Sequence, residues 1–252
     1  MSAGPDPVTR TLRLLVEYDG TAFCGWQRQA SDRTVQQSIE EAFEAMLGHP
    51  VAVRGAGRTD AGVHAHGQVA AADVVERIPV LGFQRGLNAH LPRDVAIVEV
   101  SEAAPGFDPR RHARGKIYRY TLWNHPTRSP LNERTAWHVK RPLNLSLMRQ
   151  AAARLEGEHD FRAFRAADCQ RPSTRRLIRR IDVRRSGALV TIDVEGTAFL
   201  KNMVRIMAGT LVGAGHGEIP AAQIDEALVL GTRTKAGVTA PPHGLALVQV
   251  IY

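Results

Sequence analysis

RLIRRIDVRRSGALVTIDVE, residues 176–195, carries the pattern from which the fold class is read. Ile181 and Val183 alternate with Arg180, Asp182 and Arg184, so one face is apolar and the other charged. Successive side chains of a strand point to opposite faces, and this two-residue period marks a strand. Residues 189–195 alternate in the same way, and Ser186-Gly187 between the two runs fits a tight hairpin turn. Strands joined so closely pair antiparallel, because a parallel pair needs a crossover of a dozen residues or more.

Working outward, alternation predicts further strands at 12–18, 51–53, 68–75, 95–100, 117–123 and 245–252. Helices interrupt them. Thr34 is placed to cap one, with Gln37 set to return the capping-box bond and Val35, Ile39, Ala42, Phe43 and Met46 as its apolar stripe. A second is expected over 80–90. A third follows Asn144, with Met148, Ala151, Ala152 and Leu155 on one side. A fourth spans 200–212, buries Leu200, Val204, Met207 and Leu211, and stops near Gly213 and Gly215. A short helix follows Pro220. Mixed elements with short links make the class α+β rather than a βαβ series. Each half holds about four strands and two helices by this reading. Small and proline residues near Pro105 interrupt the pattern, which gives an N-terminal domain at 8–105 and a C-terminal domain at 106–252.

The chain has 252 residues, with 33 Lys plus Arg against 25 Asp plus Glu, a formal charge of +8. A 44% hydrophobic and 23% charged composition excludes a disordered or collagen-like chain. Only four of the basic residues are lysines; the arginines suit phosphate, since a guanidinium binds two oxygens at once. Seven of them (171, 175, 176, 179, 180, 184 and 185) crowd into 171–185 with one acid, Asp182. They form either a solvated sheet face or a surface that tracks phosphates, extended by Arg110, Arg111, Arg114 and Arg165. An aromatic content of 6% argues against stacking on many bases, so recognition would rest on backbone and shape. Cys24 and Cys169 make neither a disulfide framework nor a zinc site. Residues 1–7 lack a signal pattern, and no apolar run nears the roughly 18 residues of a membrane span. The expected compartment is the cytoplasm.

The loop 55–62 holds three glycines around Arg58 and Asp60. Glycine lets backbone approach a ligand or turn tightly, and a carboxylate can serve as nucleophile, base or metal ligand. An ordinary turn is the alternative. His64 and His66 share a strand face near Asp60 but do not complete a coordination sphere. Tyr118 reads first as a core tyrosine. Arg205 stands in an apolar helix, where it must reach solvent or pair with a carboxylate such as Asp60; such a neighbour would keep that carboxylate ionised.

Assembled, these pieces resemble the tRNA pseudouridine synthase A (TruA) family. Gly57-Arg58-Thr59-Asp60-Ala61-Gly62-Val63-His64-Ala65 is similar to that family's signature. Tyr18-Asp19-Gly20-Thr21 with Gly25-Trp26-Gln27, and Thr34-Val35-Gln36, are similar to its N-terminal motifs. So are residues 107–120, Gly157-Glu158-His159-Asp160-Phe161, Phe199-Leu200 with Met203-Val204-Arg205, and Ala240-Pro241-Pro242 with Gly244-Leu245. The matches run in order over nearly the whole chain; Lys201-Asn202 varies beside the Arg205 motif.

The resemblance implies an isomerase that turns uridine into pseudouridine in the anticodon stem-loop of tRNA, at tRNA positions 38, 39 and 40. It implies two ferredoxin-like (RRM-like) halves with mainly antiparallel sheets around a basic cleft. It also implies a homodimer in which one tRNA contacts both subunits, and no metal or organic cofactor. By the same resemblance Asp60 is the nucleophile, and Arg205 pairs with it. Tyr118 packs on the uracil and is a candidate base. Arg58 helps hold the flipped base, and Leu245 lines the pocket. Arg110, Arg114, Arg175, Arg176, Arg179 and Arg180 would contact the tRNA. Two other classes share some of these features: a non-catalytic tRNA-binding or folding protein, which needs no Asp60, and a metal-dependent nuclease built on Asp60, His64 and His66.

Overall fold

The structure, a computed structural model, describes residues 9–252. The stretch 1–7, expected to lack a signal pattern, and the expected domain start at 8 lie outside the described residues. The chain packs as two compact units that divide between Ala113 and Arg114; Tyr252 belongs to the first unit.

In the first unit β1 (Arg10–Tyr18) pairs antiparallel with β3 (His64–Val74) on one side and β4 (Val95–Ala103) on the other. The short β2 (Val53–Gly55) adds to β3 through Val53↔Ala72. Leu12, Leu14 and Val16 of β1 are fully buried, as their alternation requires. In β3, Ala70, Ala71 and Ala72 are all buried, so both faces of that strand are covered. Helices α1 (Val35–Leu47) and α2 (Val80–His90) meet through Phe43 and Phe83, whose rings lie 6.3 Å apart. Thr34 caps α1 by accepting the Gln37 N–H at 3.4 Å. The reciprocal bond of the expected capping box is replaced, because the Gln37 amide donates to Glu41 one turn on. Tyr252 closes this unit: its hydroxyl donates to the Pro109 carbonyl at 2.9 Å and Arg13 lies over its ring.

In the second unit the strand order is β10-β5-β9-β8-β7, antiparallel throughout. The strands are β5 (Gly115–Asn124), β7 (Gly157–Asp160), β8 (Arg175–Ser186), β9 (Leu189–Gly196) and β10 (Leu245–Ile251). The three-residue β6 (Trp137–Val139) joins β5 in parallel. Three helices accompany them: α3 (Leu145–Leu155), α4 (Met203–Gly215) and α5 (Ala221–Leu230). Asn144 caps α3 as expected, accepting the Ser146 and Leu147 N–H groups, and its predicted stripe is buried. α4 is buried almost all round; Gly209 lies so close to the Val238 carbonyl that a Cβ there would overlap it.

The class is α+β, with mainly antiparallel pairing. The second unit has six strands where about four were expected, and its three helices are those expected after Asn144, near 200–212 and after Pro220. β7 was hidden because Gly157-Glu158-His159-Asp160 is a polar edge strand without apolar alternation. The hairpin turn is Gly187-Ala188 rather than Ser186-Gly187, since Ser186 still pairs with Leu189; Gly187, at φ 60°, takes the turn's left-handed position. The fourth helix begins at Met203, not Leu200, because Asn202 is left-handed at φ 61° and stops helical geometry there; its last turn runs through Gly213 to Gly215.

Candidate active site

Asp60 and Arg58 stand on the loop between β2 and β3, in the first unit. Asp60 to Val63 form a turn, closed by the Val63 N–H donating to the Asp60 carbonyl at 3.2 Å, with Gly62 at φ 76° in the position that favours glycine. The loop rests on the segment after β1. The Thr59 carbonyl accepts the Trp26 N–H at 3.2 Å, and the Gly62 N–H donates to the Phe23 carbonyl at 3.2 Å. Below, the Thr59 and Tyr18 hydroxyls hydrogen-bond at 2.8 Å, buried. Burial pushes the Tyr18 phenol far above its ordinary value, so it stays a protonated partner. Gln68 donates to the Gly57 carbonyl at 3.0 Å. A Cβ on Gly25 would sit 2.5 Å from the Thr59 oxygen, and one on Gly20 would overlap the Val63 carbonyl. These two glycines are therefore requirements of close approach.

The supporting segment is itself tied to α1. The Val35 and Gln36 N–H groups, orphans of the helix start, donate to the carbonyls of Gly25 and Trp26. The Gln36 side chain accepts from Gln27 at 2.8 Å and donates to the Val53 carbonyl at 2.9 Å. Gln27 in turn accepts from Arg58 Nε at 3.1 Å. A hydrogen-bonded relay thus runs from α1 to an exposed arginine beside Asp60. His64 is engaged in the same support, its Nδ1 accepting the Gly20 N–H at 3.0 Å. Among the described residues no group of three or more His, Cys, Asp or Glu is arranged to hold a metal ion.

Tyr118, Arg205 and Leu245 belong to the second unit. Tyr118 on β5 is 8% exposed and meets Phe199 edge-on, ring centroids 5.1 Å apart. β10 lies beside β5 with Leu245 opposite Tyr120 and Leu247 opposite Tyr118, so Leu245 and Tyr118 share one sheet face. Arg205 on α4 is half-buried. Its Nε donates to the Ala240 carbonyl at 2.8 Å and its Nη1 to Asn202 Oδ1 at 3.0 Å. The next carbonyl, that of Pro241, accepts the Tyr120 hydroxyl at 2.7 Å, and a Cβ on Gly244 would come within 2.6 Å of the Tyr120 ring. Segment 240–245 therefore links Arg205, Tyr120 and Leu245. Burial raises the Tyr120 phenol, with Arg205 opposing the shift.

The arginine run differs from its expected form in two ways. A bulge at Arg179, where Ile178 pairs with Gly196 and Arg180 with Glu195, reverses the alternation. Arg176 accordingly shares the inward face of Ile178, while Arg175 and Arg180 point outward. Its Nε is buried without a partner, and burial with the nearby Arg171 charge lowers its pKa. The run also has more acids than Asp182 beside it. Arg175 pairs with Glu158 at 3.1 Å, Arg179 with Glu195 at 3.3 Å, and Arg180 with Asp182 at 2.8 Å. Arg110 and Arg114 are exposed; the Arg110 N–H donates to Asp108, and the Arg114 carbonyl accepts from Arg179 at 3.0 Å.

The profile of the tRNA pseudouridine synthase family matches residues 14–110 and 151–252, most of both units. The chain belongs to the tRNA pseudouridine synthase family. It is 48% identical over 243 residues to a protein of Geotalea daltonii named tRNA pseudouridine synthase A, covering 96% of this chain and 100% of that one. A Myxococcus xanthus protein of the same name is 52% identical, over 96% and 91% of the two chains. One from Geobacter sulfurreducens is 47% identical, over 96% and 99%. A chain of a Cbf5-Nop10-Gar1 complex superposes with a TM-score of 0.39 at 13% identity, covering 94% of this chain and 49% of its own, too low to bear on the assignment.

In this synthase the motif residues have separable physical tasks. Gly20 and Gly25 make room for the Asp60 loop, Trp26 and Phe23 bond it, and Thr34-Val35-Gln36 anchors the segment that carries them. Gln27, Gln36 and Asn202 were not foreseen as site residues. The first two have no signal beyond the motif; Asn202 has one, since asparagine is among the few residues that adopt a positive φ readily.

Proposed function

We propose that this protein is an isomerase that converts uridine to pseudouridine in tRNA. The observation that carries the reading is the Arg58–Asp60 loop, held rigid by the glycine-bearing segment after β1, in a chain nearly half identical, end to end, to tRNA pseudouridine synthases A. The reaction breaks the bond between ribose C1′ and uracil N1, turns the ring, and joins C1′ to C5. The C5 proton leaves and N1 gains one, so nothing is oxidised and no group carrier is required. The Asp60 carboxylate acts as the nucleophile that holds the intermediate. Arg205 pairs with it and keeps it ionised. Tyr118 packs on the uracil and is the candidate base for the C5 proton; Leu245 lines the pocket. Extrusion of the target base costs a few kcal/mol, and Arg58 helps hold it out of the stack.

At finer grain, the targets are positions 38, 39 and 40 of the anticodon stem-loop, and the enzyme works in the cytoplasm as a homodimer that shares one tRNA. No described helix is long and apolar enough to cross a membrane. A purified sample incubated with tRNA labelled with tritium at uracil C5 should release the label without added metal or cofactor. Chemical mapping of the product should find the modification at 38–40. Binding without release would instead favour the non-catalytic tRNA-binding alternative.

The outward arginines Arg110, Arg114, Arg175, Arg179 and Arg180 would track phosphates in contact with the tRNA, and Arg176 would reach it only from the inward strand face. Arg175 and Arg180 are the sharpest probes, because both are exposed and their carboxylate partners leave donors over. Replacing both by Gln should weaken tRNA binding and reduce the slope of log K against log salt by about 2, since each neutralised phosphate contributes about 0.9. Anisotropy titrations across salt concentrations measure it; an unchanged slope means the face is only hydrated.

A further inference from the structure

The second unit contains a cavity of about 420 Å³ lined by Arg162, Arg165, Arg233, Asn202, Ile206 and Thr239, among others. Its volume lies in the range of ligand sites, and its charge is one-sided. Arg162 has a carboxylate at 3.5 Å, Asp160. Arg233 spends Nη1 on the Gly237 carbonyl at 2.8 Å and Nη2 on the Thr239 hydroxyl at 3.2 Å, neither of which cancels its charge. Arg165 is half-buried and has no hydrogen-bond or carboxylate partner among the described residues. Three guanidiniums therefore line one cavity, with no carboxylate among its lining residues. An arginine is held half-buried at a cost unless an anion answers it.

Two further features point the same way. Asn202 adopts φ 61° and leaves the start of α4 without a side-chain cap, so the positive end of a 13-residue helix opens beside the guanidiniums. The amide oxygen that would have capped it accepts from Arg205 instead, at 3.0 Å. One residue thus lines the cavity and positions Arg205.

We propose that this cavity binds a backbone phosphate of the RNA substrate, seated next to Arg205. Planar guanidiniums from separate segments, with the N–H groups of a helix start, suit the tetrahedral oxygens of a phosphodiester. The inference rests on the proposed activity only in naming RNA as the source of the phosphate. Arg165 does the binding; Asn202 positions Arg205.

Arg165→Gln is the test, because a side chain without protein partners can be changed without unfolding the chain; an unchanged melting temperature verifies this. Affinity for an anticodon stem-loop should fall about 10-fold or more, the scale of losing one charge-assisted hydrogen bond. The loss should appear in KM rather than kcat. A scan with single neutral methylphosphonates should find one linkage whose substitution weakens binding to the natural protein yet costs Arg165→Gln nothing further. Unchanged affinity, or a scan with no such linkage, overturns the proposal. So does a variant that loses affinity for inorganic phosphate but keeps RNA binding, which would make the cavity a site for free phosphate. Binding is read separately from turnover. If the natural protein binds but does not isomerise, the activity fails and the pocket is still judged; if it isomerises and Arg165→Gln binds RNA equally well, only the pocket fails.

Discussion

Asp60→Asn is expected to lower tritium release by about a thousandfold or more while tRNA affinity stays within about twofold. The size follows from the role: an amide is a far poorer nucleophile than a carboxylate, and removing a group that bonds covalently to the substrate costs on that scale. Binding should survive, because in the proposed reading it draws on charges elsewhere, among them Arg110, Arg114, Arg175 and Arg180, all exposed. The loop survives because its main supports are backbone groups, Thr59 to Trp26 and Gly62 to Phe23, together with the Thr59–Tyr18 pair. Single-turnover release from labelled tRNA gives the rate, and anisotropy the affinity. Full activity in this variant would remove the reading of Asp60 as nucleophile. Equal loss of rate and affinity would make Asp60 a structural residue of the loop.

How much of this was readable beforehand depends on how local each cause is. α3 was readable because Asn144 caps it from within and Met148, Ala151, Ala152 and Leu155 repeat on one face. The β8–β9 hairpin was readable because alternation and a glycine turn lie in one short stretch. The start of α4 was not: Asn202 leaves helical geometry while its side chain serves Arg205. The bulge at Arg179 was equally hidden, since it depends on the pairing partner β9, and it puts Arg176 on the opposite face from Arg180. At the site, Arg58 and Asp60 were visible as a glycine-rich loop. The relay from Gln36 through Gln27 to Arg58 was not, because it joins residues far apart in sequence through side chains with no distinctive pattern.

The close approach of Gly20 to the Asp60 loop is severe to disturb. Gly20→Ala should lower kcat about 100-fold and destabilise the first unit by about 1–3 kcal/mol. The new Cβ would overlap the carbonyl carbon and oxygen of Val63, which are backbone atoms and cannot rotate aside. Either the turn Asp60–Val63 shifts or the segment after β1 does, and both hold the carboxylate in place. A displacement near 1 Å of a reacting group is enough for a loss of that order. Gly106→Ala separates this from a general cost of replacing glycine. Gly106 has φ 79° with open space around it, so alanine there meets only backbone strain, about 1–2 kcal/mol. It should lower the melting temperature and leave kcat unchanged. Thermal unfolding and single-turnover tritium release on both variants give the comparison. If Gly20→Ala keeps full kcat, the glycine is not what seats the Asp60 loop, and the support must come from the hydrogen bonds of Phe23, Trp26 and Tyr18 alone.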